Sequence, residues 1–133
     1  MSFEEAAALP VNYLTAYHML FRVACVRPGE RVLVHMAAGT GTAGIPAASQ
    51  VAGIPLLTPL QLMNHNRTVS GVNIGHLWSE MAILSEELRA VLALWDEGRI
   101  KPRIDRVYPF AEAAAAHHRI LARQNVGKIV LTP

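Results

Sequence analysis

The stretch RVLVHMAAGTGTAGIPAASQVAG, from Arg31 to Gly53, decides the fold class that we expect. It opens on an apolar run with two valines, which predicts a short buried strand. The residues from Gly39 to Gly44 match the pattern G-x-G-x-x-G, and the small and apolar residues after them predict a helix that ends at Gly53. A strand, a glycine turn and a helix in this order form the context in which the motif indicates dinucleotide-binding ancestry.

The glycine turn has a specific physical use in such a unit. Glycines let the backbone turn tightly and approach a pyrophosphate, and the N-terminus of the following helix offers unpaired N–H groups to the phosphates. The alternative is a glycine-rich turn between a strand and a helix that binds no ligand.

Length and composition narrow the class of protein. A chain of 133 residues predicts one domain, and 52% hydrophobic with 17% charged residues predicts a sizeable core with apolar surface left for a partner. The formal charge is only +2 and the basic residues are scattered, so we expect no nucleic acid partner. The single cysteine, Cys25, allows no internal disulfide and fits a reducing, cytoplasmic location. No apolar run reaches the ~20 residues of a membrane span, so we expect no membrane partner.

Residues 1–28 predict N-terminal helices. Ser2 and Glu5 have the spacing of a capping box at the start of a first helix. A second helix is predicted from Pro10 to about Cys25, with an apolar stripe on which His18 lies. We interpret that histidine as a packed side chain rather than a catalytic one.

Residues 54–133 predict alternating strands and helices after the strand–turn–helix unit of residues 29–53. Strands are predicted at 67–74, 103–108 and 128–131, and helices at 77–98 and 109–123. The stripe of the longer helix comprises Leu77, Met81, Leu84, Leu88, Val91, Leu92 and Trp95, and the residues assigned off it include Glu80, Glu86, Glu87, Arg89 and Glu97. This order predicts an α/β domain: a shortened Rossmann-like unit with a small, mainly parallel sheet flanked by helices.

Five stretches of the chain resemble one known family. They are ALPVNYLTAY at 8–17, GERVLVHMAAG at 29–39, GVNIGHLW at 71–78, GRIKP at 98–102 and NVGKIVL at 125–131. Together they are similar to the medium-chain dehydrogenase/reductase superfamily, in its quinone-oxidoreductase-like and VAT-1-like branch. The resemblance implies a strongly truncated member, in which the GroES-like catalytic domain and the middle of the Rossmann domain are missing.

The resemblance also implies an activity. Members of this branch are zinc-independent, NAD(P)(H)-dependent oxidoreductases of the quinone or enoyl reductase type, which transfer hydride to an activated double bond or a quinone. We expect a small-molecule substrate that the sequence does not name, catalytic residues that remain unknown, and reduced or lost activity of the isolated chain. The competing hypothesis is a non-catalytic α/β dimerisation or binding module derived from such a reductase.

By the same resemblance, six residues match cofactor contacts: Thr15, Gly39, Thr40, Gly41, Thr42 and Asn125. The cofactor would be NADP(H) or NAD(H), bound weakly if it is bound at all. A dinucleotide fold usually carries an acidic residue ~20 positions after the glycines, and here the window 59–64 contains none. Two alternatives stay open: the Thr15 hydroxyl bonds its own helix backbone, and Asn125 is a turn residue before a strand.

Metal binding is not expected. One cysteine cannot supply a structural zinc site, and the sequence contains no H-x-x-x-H pair. His117 and His118 are adjacent, so on a helix they point roughly 100° apart.

The last expectation concerns assembly. The resemblance places the strand at 67–74 at the edge of the sheet, and an open apolar edge is a template for pairing with a second chain. We therefore expect a homodimer that pairs through this edge.

Overall fold

The structure is a computed structural model and describes residues 1–33 and 57–133. Its helices are α1 (Phe3–Ala8), α2 (Pro10–Tyr17), α3 (Pro59–Asn64), α4 (Met81–Asp96) and α5 (Ala113–Leu121). A π-helix, His18–Val23, continues α2, and short 3₁₀ turns span Ile74–His76 and Phe110–Glu112. The strands are β1 (Ile104–Pro109) and β2 (Lys128–Thr132). The predicted glycine turn and the helix predicted to end at Gly53 lie outside the described residues. Of the strand predicted before them, only residues 31–33 are described.

Strands β1 and β2 form a parallel pair. Ile104 lies opposite Lys128 and Val107 opposite Val130, with a shift of register between Ile104 and Arg106. A 3₁₀ turn and α5 connect the two strands, as a parallel pair requires a crossover connection. The strands predicted at 103–108 and 128–131 are therefore confirmed, and so is the α/β class with its small parallel sheet.

The start of β2 depends on Gly127. This residue has φ +118°, and a Cβ at its position would collide with the carbonyl oxygen of Arg103. The same carbonyl accepts a hydrogen bond from the Lys128 N–H at 2.8 Å. A glycine is needed here because β2 can begin beside β1 only if the two backbones approach this closely.

An ion pair fastens the crossover helix to the sheet. Arg119 on α5 donates from Nε to Asp105 on β1 at 2.6 Å, and the N–H of Val126 donates to the same carboxylate at 3.2 Å. These bonds hold the pKa of Asp105 below its ordinary range, with the Arg119 hydrogen bond as the largest cause.

The N-terminal helices pack against the C-terminal strands. The capping box is confirmed: Ser2 Oγ accepts from the Glu5 N–H at 3.2 Å, and the Glu5 carboxylate accepts from the Ser2 N–H at 2.9 Å. Helix α1 contacts both strands. The buried apolar residues are Ala8, Leu9, Leu84, Val91, Tyr108, Ala116 and Val130.

Helix α4 is the long helix predicted at 77–98, and it begins four residues later than predicted. It ends before Gly98, which has φ +70°, as a glycine stop predicts. Its buried residues are Leu84, Glu87 and Val91. The prediction that Glu87 lies off the apolar stripe of this helix was wrong, because its side chain is buried with those of Leu84 and Val91.

The prediction of a strand at 67–74 is wrong. Residues 67–73 form no regular element, and a 3₁₀ turn begins at Ile74. The Asn73 side chain accepts a hydrogen bond from the Gly75 N–H at 3.1 Å and so stabilises the turn. An extended segment becomes a strand only when another strand satisfies its backbone, and none of residues 1–33 or 57–133 pairs with this one.

The helix predicted from Pro10 to Cys25 changes type halfway. It is α-helical to Tyr17 and π-helical from His18 to Val23, where the Ala24 N–H donates to the Met19 carbonyl at 2.9 Å. Cys25 then takes φ +51° and ends it. Among the helices that the structure describes, none has the length and apolar character to cross a membrane.

Candidate functional site

The most deeply buried polar side chains of the described chain meet between the N-terminal helices and α4. Glu87 is 2% exposed and His18 is 7% exposed. His18 Nδ1 lies 3.0 Å from each carboxylate oxygen of Glu87. An ionised carboxylate only accepts hydrogen bonds, so this geometry assigns the donated proton to Nδ1. The prediction that His18 is a packed histidine on the helix stripe agrees with this burial.

Arg22, four residues after His18 in the π-helix, also contacts Glu87. Its Nε donates to Glu87 Oε1 at 2.6 Å, and a longer bond of 3.4 Å reaches Glu86. The hydrogen bond to Glu87 is the largest cause of a raised pKa for the guanidinium. We call these four residues, His18, Arg22, Glu86 and Glu87, the Glu87 cluster.

The position of Glu87 in the sequence indicates that its side chain is buried, although the residue is charged. It lies three residues after Leu84 and four before Val91, which are the two buried apolar residues of α4. Helical spacing therefore puts all three side chains on one face. A carboxylate can occupy such a position when two basic groups accompany it, because a buried charge needs partners.

An open cleft lies beside the Glu87 cluster. It has a volume of about 360 Å³ and is lined by Tyr17, Phe21, Arg22, Glu86, Glu87 and Ala90. The rings of Tyr17 and Phe21 form one wall, with centroids 4.8 Å apart and an interplanar angle of 43°. A second cleft of the same volume shares Tyr17, Phe21 and Ala90 with it, so a groove follows α4 toward Arg99.

Thr15 lies on α2, where its hydroxyl donates to the Val11 carbonyl at 2.6 Å. This is the backbone bond that the alternative interpretation of Thr15 describes. A hydroxyl oxygen that donates its proton keeps two lone pairs, so the bond leaves Thr15 able to accept. Its contact with a cofactor stays a prediction.

Asn125 lies in the turn before β2. Its side-chain amide donates to the Gly127 carbonyl at 2.9 Å, which helps to shape the tight approach of Gly127 to Arg103. The motif Asn-Val-Gly-Lys thus has a structural use in this chain. The Asn125 amide uses one proton in the turn, and its second N–H and its carbonyl oxygen remain able to bond a ligand. The contact of Asn125 with a cofactor also stays a prediction.

The structure joins the two elements that carry these residues. Lys128 Nζ donates to Asn12 Oδ1 at 3.0 Å, and the Tyr13 hydroxyl donates to the Lys101 carbonyl at 2.9 Å. The first of these hydrogen bonds links the helix of Thr15 to the strand after Asn125. The other predicted cofactor residues, Gly39, Thr40, Gly41 and Thr42, lie outside the described residues.

In residues 1–33 and 57–133, no three His, Cys, Asp or Glu side chains come together as metal ligands. The only thiol of the chain, Cys25, is exposed and donates weakly to the Arg22 carbonyl. The described residues therefore do not fit a zinc site.

With the fold and these contacts in view, the class of protein follows from comparison with known families. The family described as "Zinc-binding dehydrogenase" matches residues 7–131. The chain belongs to this family, which places it in the medium-chain dehydrogenase/reductase superfamily of oxidoreductases. The predicted family is confirmed.

Individual relatives agree with that assignment. The chain is 29% identical to the rat (Rattus norvegicus) "Synaptic vesicle membrane protein VAT-1 homolog" across 100% of its own length and 56% of the relative's. It is 51% identical over 59 residues to the "Highly reducing polyketide synthase curS1" of Aspergillus terreus, which is 44% of this chain and 2% of that protein. The crystal structure of the human synaptic vesicle membrane protein VAT-1 homolog-like protein matches with a TM-score of 0.75 and 25% identity, covering 100% of this chain and 63% of that one.

The chain spans about half the length of the curated relatives that it matches first. The rat alignment extends over 227 positions, whereas this chain has 133 residues. The relative therefore contains internal residues that have no counterpart here, as the sequence predicted.

Proposed function

We propose that this chain forms part of an NAD(P)(H)-dependent oxidoreductase of the quinone or enoyl reductase type, with a small-molecule substrate. The observation that carries the proposal is the family match over residues 7–131. When bound, the nicotinamide would supply the hydride, and the protein would bind and orient it. Thr15 and Asn125 are the described residues proposed to contact it, because both keep hydrogen-bonding capacity, and because α2, which carries Thr15, is hydrogen-bonded to β2, which follows Asn125.

The proposed cofactor binding is weak. The acidic partner of the adenosine ribose is absent from the sequence window in which it is usually found. A hydrogen bond to a charged group contributes about 1.5–3 kcal/mol, so its loss lowers affinity by at least tenfold. We therefore propose a dissociation constant for NADPH and for NADH that is above the submicromolar range.

Calorimetric titration of the full chain with NADPH and with NADH tests this function. Gly41→Val should abolish the binding heat, because a side chain would occupy the proposed phosphate position. Gly71→Val is the matched control: a Cβ at Gly71 meets nothing within 4 Å, so this variant should bind as the unmodified chain does. Absence of saturable binding at millimolar cofactor, or equal binding by the Gly41 variant, would contradict the proposal.

The second candidate function is a dimerisation or binding module. It is favoured by the apolar side chains that residues 57–81 expose, among them Leu60, Met63, Val69, Trp78 and Met81. Helix α3 is also packed only lightly against the other described elements. We propose that a second copy of the chain covers this surface, with residues 67–74 in the contact, through side-chain packing in place of the strand pairing expected from the sequence.

Light scattering at micromolar concentration tests this proposal. The unmodified chain should have the mass of a dimer, and Val69→Lys should shift it toward a monomer, because a charge would enter the apolar contact. Leu121→Lys is the control, since it places the same charge on an exposed leucine at the C-terminus of α5, where a cation is tolerated. A monomeric unmodified chain would refute the dimer, whatever the cofactor titration gives.

A further inference from the structure

We propose that the end of the sheet at which β1 and β2 begin is a docking surface for an acidic, partly apolar segment of a partner protein. Four basic residues with exposed or half-exposed side chains define this surface, which we call the basic end: Lys101, Arg103, Arg123 and Lys128. The proposal depends neither on the proposed cofactor nor on the proposed dimer.

The positive charge of the chain is concentrated in its C-terminal quarter. Residues 99–133 contain seven of the 12 Lys and Arg residues and two of the 10 Asp and Glu residues, which gives a formal charge of +5. Residues 1–98 contain the other five basic and eight acidic residues, which gives a formal charge of −3. The small net charge of +2 for the whole chain therefore combines two regions of opposite sign.

The parallel sheet brings the residues of the basic end together. Because β1 and β2 are parallel, they begin at the same end of the sheet, where the Lys128 N–H donates to the Arg103 carbonyl at 2.8 Å. The Arg103 side chain lies directly beside Gly127, since its Cγ would be 3.0 Å from a Cβ at that position. Arg123 lies four residues before Gly127, in the turn that leads from α5 to β2.

Helix α2 contacts both lysine residues of the basic end. The Tyr13 hydroxyl donates to the Lys101 carbonyl at 2.9 Å, and Lys128 Nζ donates to Asn12 Oδ1 at 3.0 Å. Because Asn12 and Tyr13 are adjacent, the two lysine residues lie against the same part of the helix. The Asn12 amide is uncharged, so its hydrogen bond leaves the charge of Lys128 without a counter-charge.

No carboxylate of residues 1–33 or 57–133 forms an ion pair with the basic end. The ion pairs of these residues have other basic partners, namely His18, Arg22, Arg99 and Arg119. Asp105 lies close by in sequence, but it accepts hydrogen bonds from Arg119 and from the Val126 N–H. Residues 34–56 contain no Asp or Glu. Neighbouring positive charges repel one another, and a bound acidic group would relieve that repulsion.

Exposed apolar side chains adjoin the basic end and indicate the kind of partner. Leu121 is 76% exposed and Val126 is 58% exposed, and they lie on either side of Arg123 in the sequence. Protein–protein contacts combine apolar residues at the centre with charged residues at the rim, whereas attraction of a nucleic acid backbone needs the positive charges alone. The combination therefore favours a protein segment that carries both acidic and apolar side chains.

Fluorescence anisotropy tests the proposal with a labelled peptide of glutamate and leucine as the probe and the full chain as the titrant. We expect saturable binding that weakens as salt is added, because salt screens contacts between exposed charges. The double variant Arg103→Gln and Arg123→Gln should weaken this binding by about fivefold, through the loss of two exposed ion pairs. A peptide in which serine replaces leucine should also bind more weakly, because it lacks the apolar contact.

The matched control is the double variant Arg27→Gln and Arg89→Gln. It removes two exposed arginines outside the basic end and changes the net charge by the same amount, so it should bind the leucine peptide as the unmodified chain does. All four side chains are exposed, and both double variants should keep the circular dichroism spectrum of the unmodified chain.

Three results would overturn the proposal. The first is an equal effect, or no effect, of the two double variants on peptide binding. The second is equally tight binding of the serine peptide or of a single-stranded DNA of the same charge, since either would show attraction of any polyanion. The third is a shift from dimer to monomer in light scattering by the Arg103 and Arg123 double variant alone, which would make a second copy of the chain the occupant.

Discussion

Replacing Glu87 by leucine should destabilise the protein strongly, because it removes the acceptor on which two basic side chains depend. The carboxylate is 2% exposed and accepts from His18 at 3.0 Å and from Arg22 at 2.6 Å. Removal of one partner from a buried ion pair costs about 3–5 kcal/mol. A natural domain has a total free energy of unfolding of about 5–15 kcal/mol, so the loss is a large part of it.

A double variant that lacks both His18 and Glu87 measures the interaction between these two side chains. Replacing His18 and Glu87 together by leucine removes the unpaired buried group, and such a replacement of a buried pair is often neutral or stabilising by about 1–4 kcal/mol. Arg22 can turn to solvent in the double variant, since 42% of its side chain is exposed. We expect the double variant to be more stable than the Glu87→Leu variant, and the coupling between the two sites to be at least about 2 kcal/mol.

Urea unfolding followed by circular dichroism measures these free energies. Glu86→Leu is the matched control: it is the neighbouring glutamate, its side chain is 74% exposed, and it should change stability by less than about 0.5 kcal/mol. The reasoning would be refuted if Glu87→Leu were as mild as the control, or if the double variant were as unstable as the two single variants added together.

The remaining predictions concern the sheet and the first helix. Gly127→Ala should prevent β2 from pairing normally, because the new Cβ would collide with the Arg103 carbonyl, and loss of the Lys128 amide from the hydrogen-exchange-protected set would report it. Asp105→Asn should make the free energy of unfolding fall less steeply as the pH is lowered. The folded-state pKa of Asp105 is lowered, chiefly by the hydrogen bond from Arg119. The stabilisation by the Asp105 carboxylate is therefore full above the unfolded-state pKa of about 3.9 and is lost as the pH falls through the lower folded-state pKa. Melting temperatures measured between neutral pH and about pH 3 would show this, and an unchanged slope would contradict it. Ser2→Ala should cost about 1 kcal/mol through loss of the helix cap, measurable by urea unfolding, and Ser2→Asn should restore most of it.

Local signals in the sequence predicted the elements that local chemistry controls. The spacing of Ser2 and Glu5 predicted where the first helix begins, and Gly98 predicted where the long helix ends. Both predictions were possible because a helix cap and a positive φ depend on only a few neighbouring residues. Both strands of the described sheet were also predicted, at 103–108 and at 128–131. The family followed from motifs spread along the chain.

Long-range contacts decided what the sequence did not predict. The segment at 67–74 was predicted as a strand, and no partner strand is present for it among the described residues. Glu87 was predicted to lie off the apolar stripe, although its spacing from Leu84 puts it on the buried face. The π-helix was not predicted from HMLFRV, and two of its side chains contact Glu87, which lies more than sixty residues further along the chain.

The fastening of the N-terminal helices to the C-terminal strands has a consequence for the order of folding. The hydrogen bond from Lys128 to Asn12 joins residues that are 116 positions apart, and that from Tyr13 to Lys101 joins residues 88 apart. Contacts between residues so distant in sequence form slowly, because a long loop must close before they are made. During synthesis, α1 would lack part of its binding surface until β2, which ends at Thr132, has left the ribosome. The apolar side chains that later contact the strands would stay accessible to chaperones throughout that interval.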